Sequence, residues 1–182
     1  MIVAPATGPF GSAAVKVALA MGARVIAMGR NLSVLTTHKT DNERVEIVQI
    51  SGDVQADIAA LQKFGPVDAY FDISPPAAAN STHIKSAILA LRHGGRVSLM
   101  GGIYGDVAIP HSAVMHRDLT LKGKWMYTRG NVRELIRMVE VGVLKLGEAA
   151  GSRATAEFKL EEWEKAFSKA AEDRGSQCLI AP

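Results

Sequence analysis

A glycine-rich run near the start of the chain has the residue types and spacing of a phosphate-binding loop. It reads Ala6-Thr7-Gly8-Pro9-Phe10-Gly11 and matches the dinucleotide fingerprint G-x-G-x-x-G with alanine at the first glycine. Gly8 would let a pyrophosphate approach the backbone, and Gly11 would let the following helix pack closely on the preceding strand. We therefore predict that Gly8, Pro9, Phe10 and Gly11 bind a dinucleotide. Ordinary turn chemistry is the alternative.

The residues after the second predicted strand indicate which dinucleotide this is. Sites for NAD carry an aspartate or glutamate there, which binds the ribose hydroxyls, whereas this chain has Gly29-Arg30-Asn31. A guanidinium pairs with a 2′-phosphate, and an acid would repel it. The sequence thus predicts contacts from Arg30 and Asn31 and favours NADP over NAD. A solvated surface arginine is the alternative.

Further cofactor contacts are expected where later strands end, because ligands of parallel sheets bind outside the carboxyl ends of the strands. Asp53 is predicted to meet the adenine edge and Ser74 the ribose region. Gly101 and Gly102 are predicted to lie near the nicotinamide. Loop chemistry explains each of these four residues equally well.

Candidates for acid–base chemistry follow the fifth and sixth predicted strands. Tyr104, His111 and His116 come after the fifth strand, and Tyr127 comes after the sixth. Loop contacts and packing are the alternatives for these residues. No pair of histidines has the H-x₃-H spacing of metal ligands and Cys178 is the single cysteine, so we predict no zinc and no other metal site.

The elements that would position these residues alternate between strands and helices. Because the strands are continuously apolar, they are typical of a parallel sheet covered on both faces, and the fold class predicted is a doubly wound α/β (Rossmann) fold of six strands. The predicted strands are Ile2–Ala6, Arg24–Met28, Val45–Ile50, Val67–Ile73, Arg96–Met100 and Leu119–Lys124. The predicted helices are Ser12–Met21, Ser33–His38, Ala56–Phe64, Thr82–Leu91 and Val132–Val141.

The end of the chain has a different pattern. Phe158–Leu160 and Gln177–Ala181 read as short strands, and Glu161–Glu172 between them reads as an amphipathic helix. We therefore predict a dinucleotide-binding domain over residues 1–146 and a strand–helix–strand tail over residues 147–182.

These segments together resemble a known family. The run VAPATGPFGSAAVKVALAMGARVIAMGRN is similar to the first βαβ unit of zinc-type alcohol dehydrogenases, the medium-chain dehydrogenase/reductase family. Three later runs, GGRVSLMGG, LTLKGKWMYTRGNVRELIRMVEVGVLKLG and FKLEEWEKAF, follow in the family's order. The resemblance implies a Rossmann domain that binds a nicotinamide cofactor. In the family a barrel-like catalytic domain precedes this half and supplies the zinc ligands, and we expect it to be lacking here.

The resemblance also implies an activity and a partner. We expect a zinc-independent oxidoreductase, alcohol dehydrogenase-like, acting on a small alcohol or carbonyl substrate with NADP. The alternatives are a redox-silent cyclase or isomerase and a non-catalytic cofactor-binding module. A homodimer joined edge to edge through Leu119–Lys124 is expected, because that strand would otherwise be an unpaired edge.

Composition excludes several other classes of protein. With 182 residues, 48% hydrophobic and 21% charged, the chain has the balance of a soluble globular protein. No apolar run reaches the ~18–20 residues of a membrane span, and no secretory leader is visible. The net charge of +3 is too diffuse for nucleic-acid binding. We expect a cytoplasmic protein without a membrane or nucleic-acid partner.

Overall fold

Six parallel strands form one sheet in the first part of the chain. The computed structural model describes residues 1–150, 154–172 and 177–181. The strands are β1 (Ile2–Ala4), β2 (Val25–Gly29), β3 (Val45–Gln49), β4 (Val67–Asp72), β5 (Leu91–Leu99) and β6 (Thr120–Gly123). Their order in the sheet is β3-β2-β1-β4-β5-β6, with every neighbouring pair parallel. This order confirms the predicted doubly wound fold.

Helices connect the strands. They are α1 (Pro9–Ala20), α2 (Leu32–Asp41), α3 (Val54–Gln62), α4 (His83–Ala90) and α5 (His111–His116), and α6 (Arg129–Glu140) follows β6. Short 3₁₀ turns cover Pro76–Ala78, Gly147–Ala150 and Leu160–Glu162.

Apolar residues alternate between two cores, one on each face of the sheet. Ile2 and Ile26 belong to one core, whereas Val3 and Ala27 belong to the other. Since side chains along a strand point alternately to opposite faces, continuously apolar strands such as β2 serve both cores at once. The sheet is thus held in place from both sides, and its strand ends are fixed points for a site.

Several helix boundaries differ from the prediction, and one helix was not predicted. Helix α1 begins at Pro9 rather than Ser12, because proline suits the first helical position and Gly8 forms the N-cap. Helix α4 ends at Ala90, and Gly94 and Gly95 lie inside β5 instead of ending the helix. The pairing of β5 with β4 shifts register in this region. Helix α5 occupies a stretch that the sequence pattern left as loop.

The chain divides into compact units of residues 1–128 and 129–182. In the second unit, β7 (Ala154–Lys159) and β8 (Gln177–Ala181) pair in parallel, and α7 (Trp163–Glu172) packs beside them. This is the expected strand–helix–strand tail. The predicted division at residue 146 stays a prediction, and residues 151–153, 173–176 and 182 of that tail lie outside the described part of the chain.

Packing requires one of the two glycines of the fingerprint. A Cβ atom on Gly11 would overlap the Pro5 carbonyl oxygen and lie 2.8 Å from the Ala6 Cα, both backbone atoms that cannot move aside alone. A Cβ on Gly8 would meet nothing within 4 Å. The two glycines of the fingerprint therefore have different structural roles.

We predict that Gly11→Ala lowers the free energy of unfolding by about 1–3 kcal/mol, the usual cost of forcing extra volume into a packed site. Gly8→Ala is the matched control, and we expect a change within about 0.5–1 kcal/mol at this N-cap position. Urea unfolding of the two variants and the wild type measures both effects. Equal losses in the two variants would contradict the packing role of Gly11.

Candidate cofactor-binding site

The loop between β1 and α1 presents backbone amides at the carboxyl edge of the sheet. The first helical hydrogen bond runs from the Ser12 N–H to the Gly8 carbonyl oxygen at 2.8 Å. The amides of Phe10 and Gly11 precede this bond, so they have no acceptor within the helix. Pro9 has no N–H to leave unpaired. Free amides at a helix N-terminus carry partial positive charge and can hold a phosphate.

His38 of α2 fixes the position of this loop through polar contacts. Its ring is buried, and its Nε2 lies 3.1 Å from the Ala6 carbonyl oxygen and 3.2 Å from the Ser12 Oγ. The Ser12 hydroxyl also donates to the Ala6 carbonyl oxygen at 3.2 Å. On the neighbouring strand, Gly29 leaves room for Thr7, because a Cβ there would lie 2.6 Å from the Thr7 Cγ2. The loop is therefore held against two neighbouring elements.

A cleft of about 290 Å³ opens beside this loop, at the carboxyl ends of β1 to β4. Its described lining residues are Pro5, Thr7, Gly8, Pro9, Phe10, Gly11, Arg30, Ile50, Ile73, Pro75, Ala77, Ala78, Ser81 and His83. The cleft brings together Arg30 and the glycine-rich loop, which the sequence analysis singled out separately. A larger depression of about 490 Å³ lies at the opposite end of the strands, around Met1, Arg24 and Arg44.

Two residues predicted to contact a cofactor have side chains that cap helices. The Asn31 Oδ1 accepts from the Ser33 and Val34 amides at the start of α2. The Asp53 Oδ1 accepts from the Ala56 amide at 2.8 Å, at the start of α3. Both are N-caps, and neither is among the described lining residues of the cleft. Their contacts with a cofactor stay predictions.

Ser74, Gly101 and Gly102 meet one another at the ends of β4 and β5. The Gly102 N–H donates to the Ser74 carbonyl oxygen at 2.7 Å, and a Cβ on Gly101 would lie 2.7 Å from the Ser74 nitrogen. The Ser74 side chain is buried, so its hydroxyl does not face the cleft directly. Any influence of this hydroxyl on a ligand must pass through its hydrogen-bond partners.

The four candidates for acid–base chemistry lie outside the described lining of this cleft. Tyr104 and Tyr127 are strongly exposed. His111 and His116 lie at the two ends of α5, and the His116 Nδ1 is 2.9 Å from the Ser112 carbonyl oxygen. The structure thus does not bring the four together around the loop and Arg30.

A buried polar cluster lies behind the part of the cleft lined by Ser81 and His83, and the sequence pattern did not predict it. The Asp72 Oδ1 accepts from the hydroxyl groups of Tyr70 and Ser74. The Ser74 Oγ lies 2.8 Å from the His83 Nε2, and the His83 Nδ1 lies 2.7 Å from the Ser81 Oγ. The sequence signals for these residues are the spacing Asp-x-Ser at the end of β4 and the spacing Ser-x-His at the start of α4.

The described residues hold no group of three histidine, cysteine, aspartate or glutamate side chains arranged to bind a metal ion. Among the helices of that same part of the chain, none combines the length and apolar composition that crossing a membrane requires.

The strand order and the glycine-rich loop at the carboxyl ends of β1 and β2 define a Rossmann domain, the class of fold that binds dinucleotides at this edge. A family model described as zinc-binding dehydrogenase matches residues 9–141. The chain belongs to this family.

Individual relatives agree with this assignment. An L-threonine 3-dehydrogenase of Anaeromyxobacter sp. (strain Fw109-5) is 28% identical over 166 residues, covering 88% of this chain and 45% of the relative. The solved structure of AibC has a TM-score of 0.78 and 22% identity, covering 100% of this chain and 48% of that one. For 2R,3R-butanediol dehydrogenase from Bacillus subtilis the TM-score is 0.74 at 20% identity, covering 97% and 49%. The chain therefore spans about half the length of the relatives it matches.

The buried His83 predicts a pH dependence of stability. Burial of the ring lowers the pKa of His83 below the ordinary value of about 6.5. Asp72 and Asp57 oppose this shift, and Arg30 reinforces it. Between the lowered pKa and about 6.5 the unfolded chain binds a proton that the folded chain does not, so the free energy of unfolding falls as the pH falls through this window.

We expect urea unfolding from about pH 8 to pH 5 to show a larger loss of stability in the wild type than in His83→Asn, because that variant lacks the titrating ring. Parallel pH curves for the two proteins would contradict the assignment.

Proposed function

We propose that this chain is the cofactor-binding part of an oxidoreductase and binds NADP(H) in the cleft beside the glycine-rich loop. One observation carries the proposal: the open space at Gly8, the first-turn amides of α1 and the side chain of Arg30 border a single cavity. Family membership supports a nicotinamide cofactor. The cleft fits such a group, since it offers close backbone approach for a pyrophosphate and a cation for a further phosphate.

Different residues of the cleft would contact different parts of the cofactor. The amides of Phe10 and Gly11 bind the pyrophosphate, and the absence of a side chain at Gly8 admits it. Ile50 and Ile73, from the ends of β3 and β4, supply apolar surface for a planar base. When bound, the nicotinamide ring supplies hydride transfer, and the protein positions it and limits its contact with water.

Arg30 supports the preference for NADP over NAD. It follows β2 directly, lines the cleft and forms no ion pair with a carboxylate among the described residues. The Arg30 carbonyl oxygen accepts from the Gln49 side chain at 3.0 Å, which ties its backbone to β3. A guanidinium in this place pairs bidentately with a 2′-phosphate, and no acid is present there to bind free ribose hydroxyls.

We expect the wild type to bind NADPH more tightly than NADH, and Arg30→Ala to weaken NADPH binding by about 10- to 100-fold while leaving NADH binding nearly unchanged. The reason is the loss of charge-assisted hydrogen bonds to one phosphate. Quenching of protein fluorescence or isothermal titration measures both affinities. Arg24→Ala is the matched control, because Arg24 precedes the other end of the same strand. Equal affinities for NADPH and NADH in the wild type would contradict the proposed preference.

The substrate class in this proposal is a small alcohol or its carbonyl counterpart, and the reaction is zinc-independent. L-threonine belongs in the set of compounds tested, because relatives of this chain are L-threonine 3-dehydrogenases. Four residues stay predicted proton donors or acceptors, namely Tyr104, His111, His116 and Tyr127. The cytoplasmic location and the homodimer also stay predictions. The edge position and exposure of β6 support that homodimer.

We expect substrate-dependent oxidation of NADPH or reduction of NADP⁺, in the absence of added metal, with at least one small carbonyl or alcohol. Absorbance at the wavelength of the reduced nicotinamide follows the reaction. Tight binding of NADPH with no turnover across a broad panel would contradict the enzymatic part and favour a non-catalytic binding module. A product formed from substrate without any change in NADPH would favour a redox-silent cyclase or isomerase instead.

A further inference from the structure

The buried cluster beside the cleft begins at a carboxylate that can only accept hydrogen bonds. The Asp72 Oδ1 accepts from the Tyr70 hydroxyl at 3.2 Å, the Ser74 N–H at 3.3 Å and the Ser74 hydroxyl. The Asp72 Oδ2 accepts from the Gly101 N–H at 3.3 Å. Burial raises the pKa of Tyr70 well above its ordinary value, so the phenol keeps its proton and donates it. The Asp72 carboxyl group thus accepts from four donors, the Tyr70 and Ser74 hydroxyls and the Ser74 and Gly101 N–H groups.

The proton of Ser74 determines the tautomer of His83. A serine hydroxyl has one proton, and that of Ser74 is committed to Asp72. The Ser74 Oγ must therefore accept from the His83 Nε2, 2.8 Å away, which places the ring proton on Nε2. Since burial lowers the pKa of His83, the ring is neutral at neutral pH. Its Nδ1 then carries a lone pair.

This lone pair determines the direction of the last hydrogen bond. The His83 Nδ1 lies 2.7 Å from the Ser81 Oγ, so the Ser81 hydroxyl donates to the ring. The Ser81 backbone is held in place, because its N–H donates to the Ala78 carbonyl oxygen at 2.9 Å. Ser81 is partly exposed and lines the same cleft as Arg30. Its proton points inward, and its remaining oxygen lone pairs are left for the cleft.

We propose that Ser81 is a specificity-determining residue of this cleft, which accepts a hydrogen bond from a donor group of the bound dinucleotide. The proposal rests on the proposed function. The dinucleotide carries two kinds of donor outside its carboxamide, the ribose hydroxyls and the adenine amino group. The hydrogen bonds that run from Asp72 through Ser74 to His83 direct the Ser81 proton to the His83 ring, so the Ser81 hydroxyl cannot donate to the ligand. A ligand with an acceptor at this place would leave two oxygen atoms facing each other without a proton between them.

Only the last of these hydrogen bonds, between the His83 Nδ1 and the Ser81 hydroxyl, reverses its direction when the His83 ring binds a second proton. Asp72, Asp57 and Arg30 are the charged groups that act on the ring. With both nitrogens protonated, the His83 Nδ1 donates to the Ser81 Oγ, and the Ser81 proton turns towards the cleft. Ser81 is then a donor, so its ligand preference changes as the pH falls through the lowered pKa of His83.

Binding of three ligands to two variants tests the proposal. The ligands are NADPH, its hypoxanthine analogue, in which an oxygen replaces the adenine amino group, and its deoxy analogue, which lacks the free hydroxyls of both riboses. We expect the wild type to bind NADPH about 3- to 10-fold more tightly than one of the two analogues, the difference that one hydrogen bond contributes. In Ser81→Ala this difference disappears. The analogue that loses affinity identifies the donor as the adenine amino group or the ribose hydroxyl.

Ser112→Ala is the matched control. Its hydroxyl also lies beside a histidine nitrogen, 3.2 Å from the His116 Nδ1, but Ser112 is not among the described cleft residues. We expect this variant to keep the wild-type ligand preference. Urea unfolding of each variant shows whether the protein remains folded, and Ser81→Cys is the second variant, with a similar size and a weak acceptor.

The outcomes separate this inference from the proposed function. If Ser81→Ala binds all three ligands with the same affinities as the wild type, the role of Ser81 is overturned while NADPH binding stands. Failure of the wild type to bind NADPH or NADH at all would overturn the proposed function and this inference with it. If the inference holds, the wild type prefers NADPH over the analogue less strongly at acid pH. Ser81→Ala then shows no preference between the two ligands at either pH.

The tautomer of His83 can be measured without any ligand. We expect the ¹⁵N chemical shifts of the ring at neutral pH to show a protonated Nε2 and a bare Nδ1, and Ser74→Ala to abolish this preference, because it removes the acceptor for the Nε2 proton. A ring protonated on Nδ1 in the wild type would overturn the proposed direction of the chain.

Discussion

The contact between the backbone of α1 and the backbone after β1 is the constraint on which the cleft depends. At Gly11 the helix comes so close to the Pro5 carbonyl oxygen that no side chain fits between them. This closeness carries the first-turn amides to the carboxyl edge of the sheet. His38 and Gly29 complete the arrangement, because one holds the Ala6 carbonyl oxygen and the other gives room to Thr7. An anion site made of amides needs this fixed position, since amides that moved with the loop would lose their common direction.

A second constraint lies inside the protein, at Asp72. Its carboxylate connects the end of β4 with the end of β5 through the Gly101 amide, and with α4 through Ser74 and His83. Burying a charge is costly unless donors surround it, and here Tyr70, Ser74 and Gly101 do so. Such a cluster has few alternative arrangements, because each proton already has an assigned acceptor. The wall of the cleft therefore presents Ser81 in one orientation of its hydroxyl group.

The chain belongs to the zinc-binding dehydrogenase family and spans about half the length of the relatives it matches. Its described residues provide what a dinucleotide needs, namely free amides, an arginine and an apolar slot between strand ends. The exposed residues after β5 and β6 lie outside this slot, and the apolar side chains of Leu160 and Leu179 in the second unit are exposed as well. The residues of the cleft bear on how a cofactor binds and how it is oriented. The choice of substrate depends instead on the groups that would surround the nicotinamide ring.

Local sequence patterns were sufficient to predict most of the strands and the glycine-rich loop of this protein. The approximate positions of β1 to β6, the glycine spacing before α1 and the position of Arg30 after β2 were predicted from the sequence. This was possible because strand burial and tight turns depend on residues close together in the chain. The sequence pattern missed α5 and the capping of helices by Asn31 and Asp53, whose contacts with a cofactor stay predictions. It also left Ser81 and His83 unassigned. Hydrogen-bond partners such as Asp72 and Gly101 come from different strands, and only the packing of those strands side by side decides which donor reaches which acceptor.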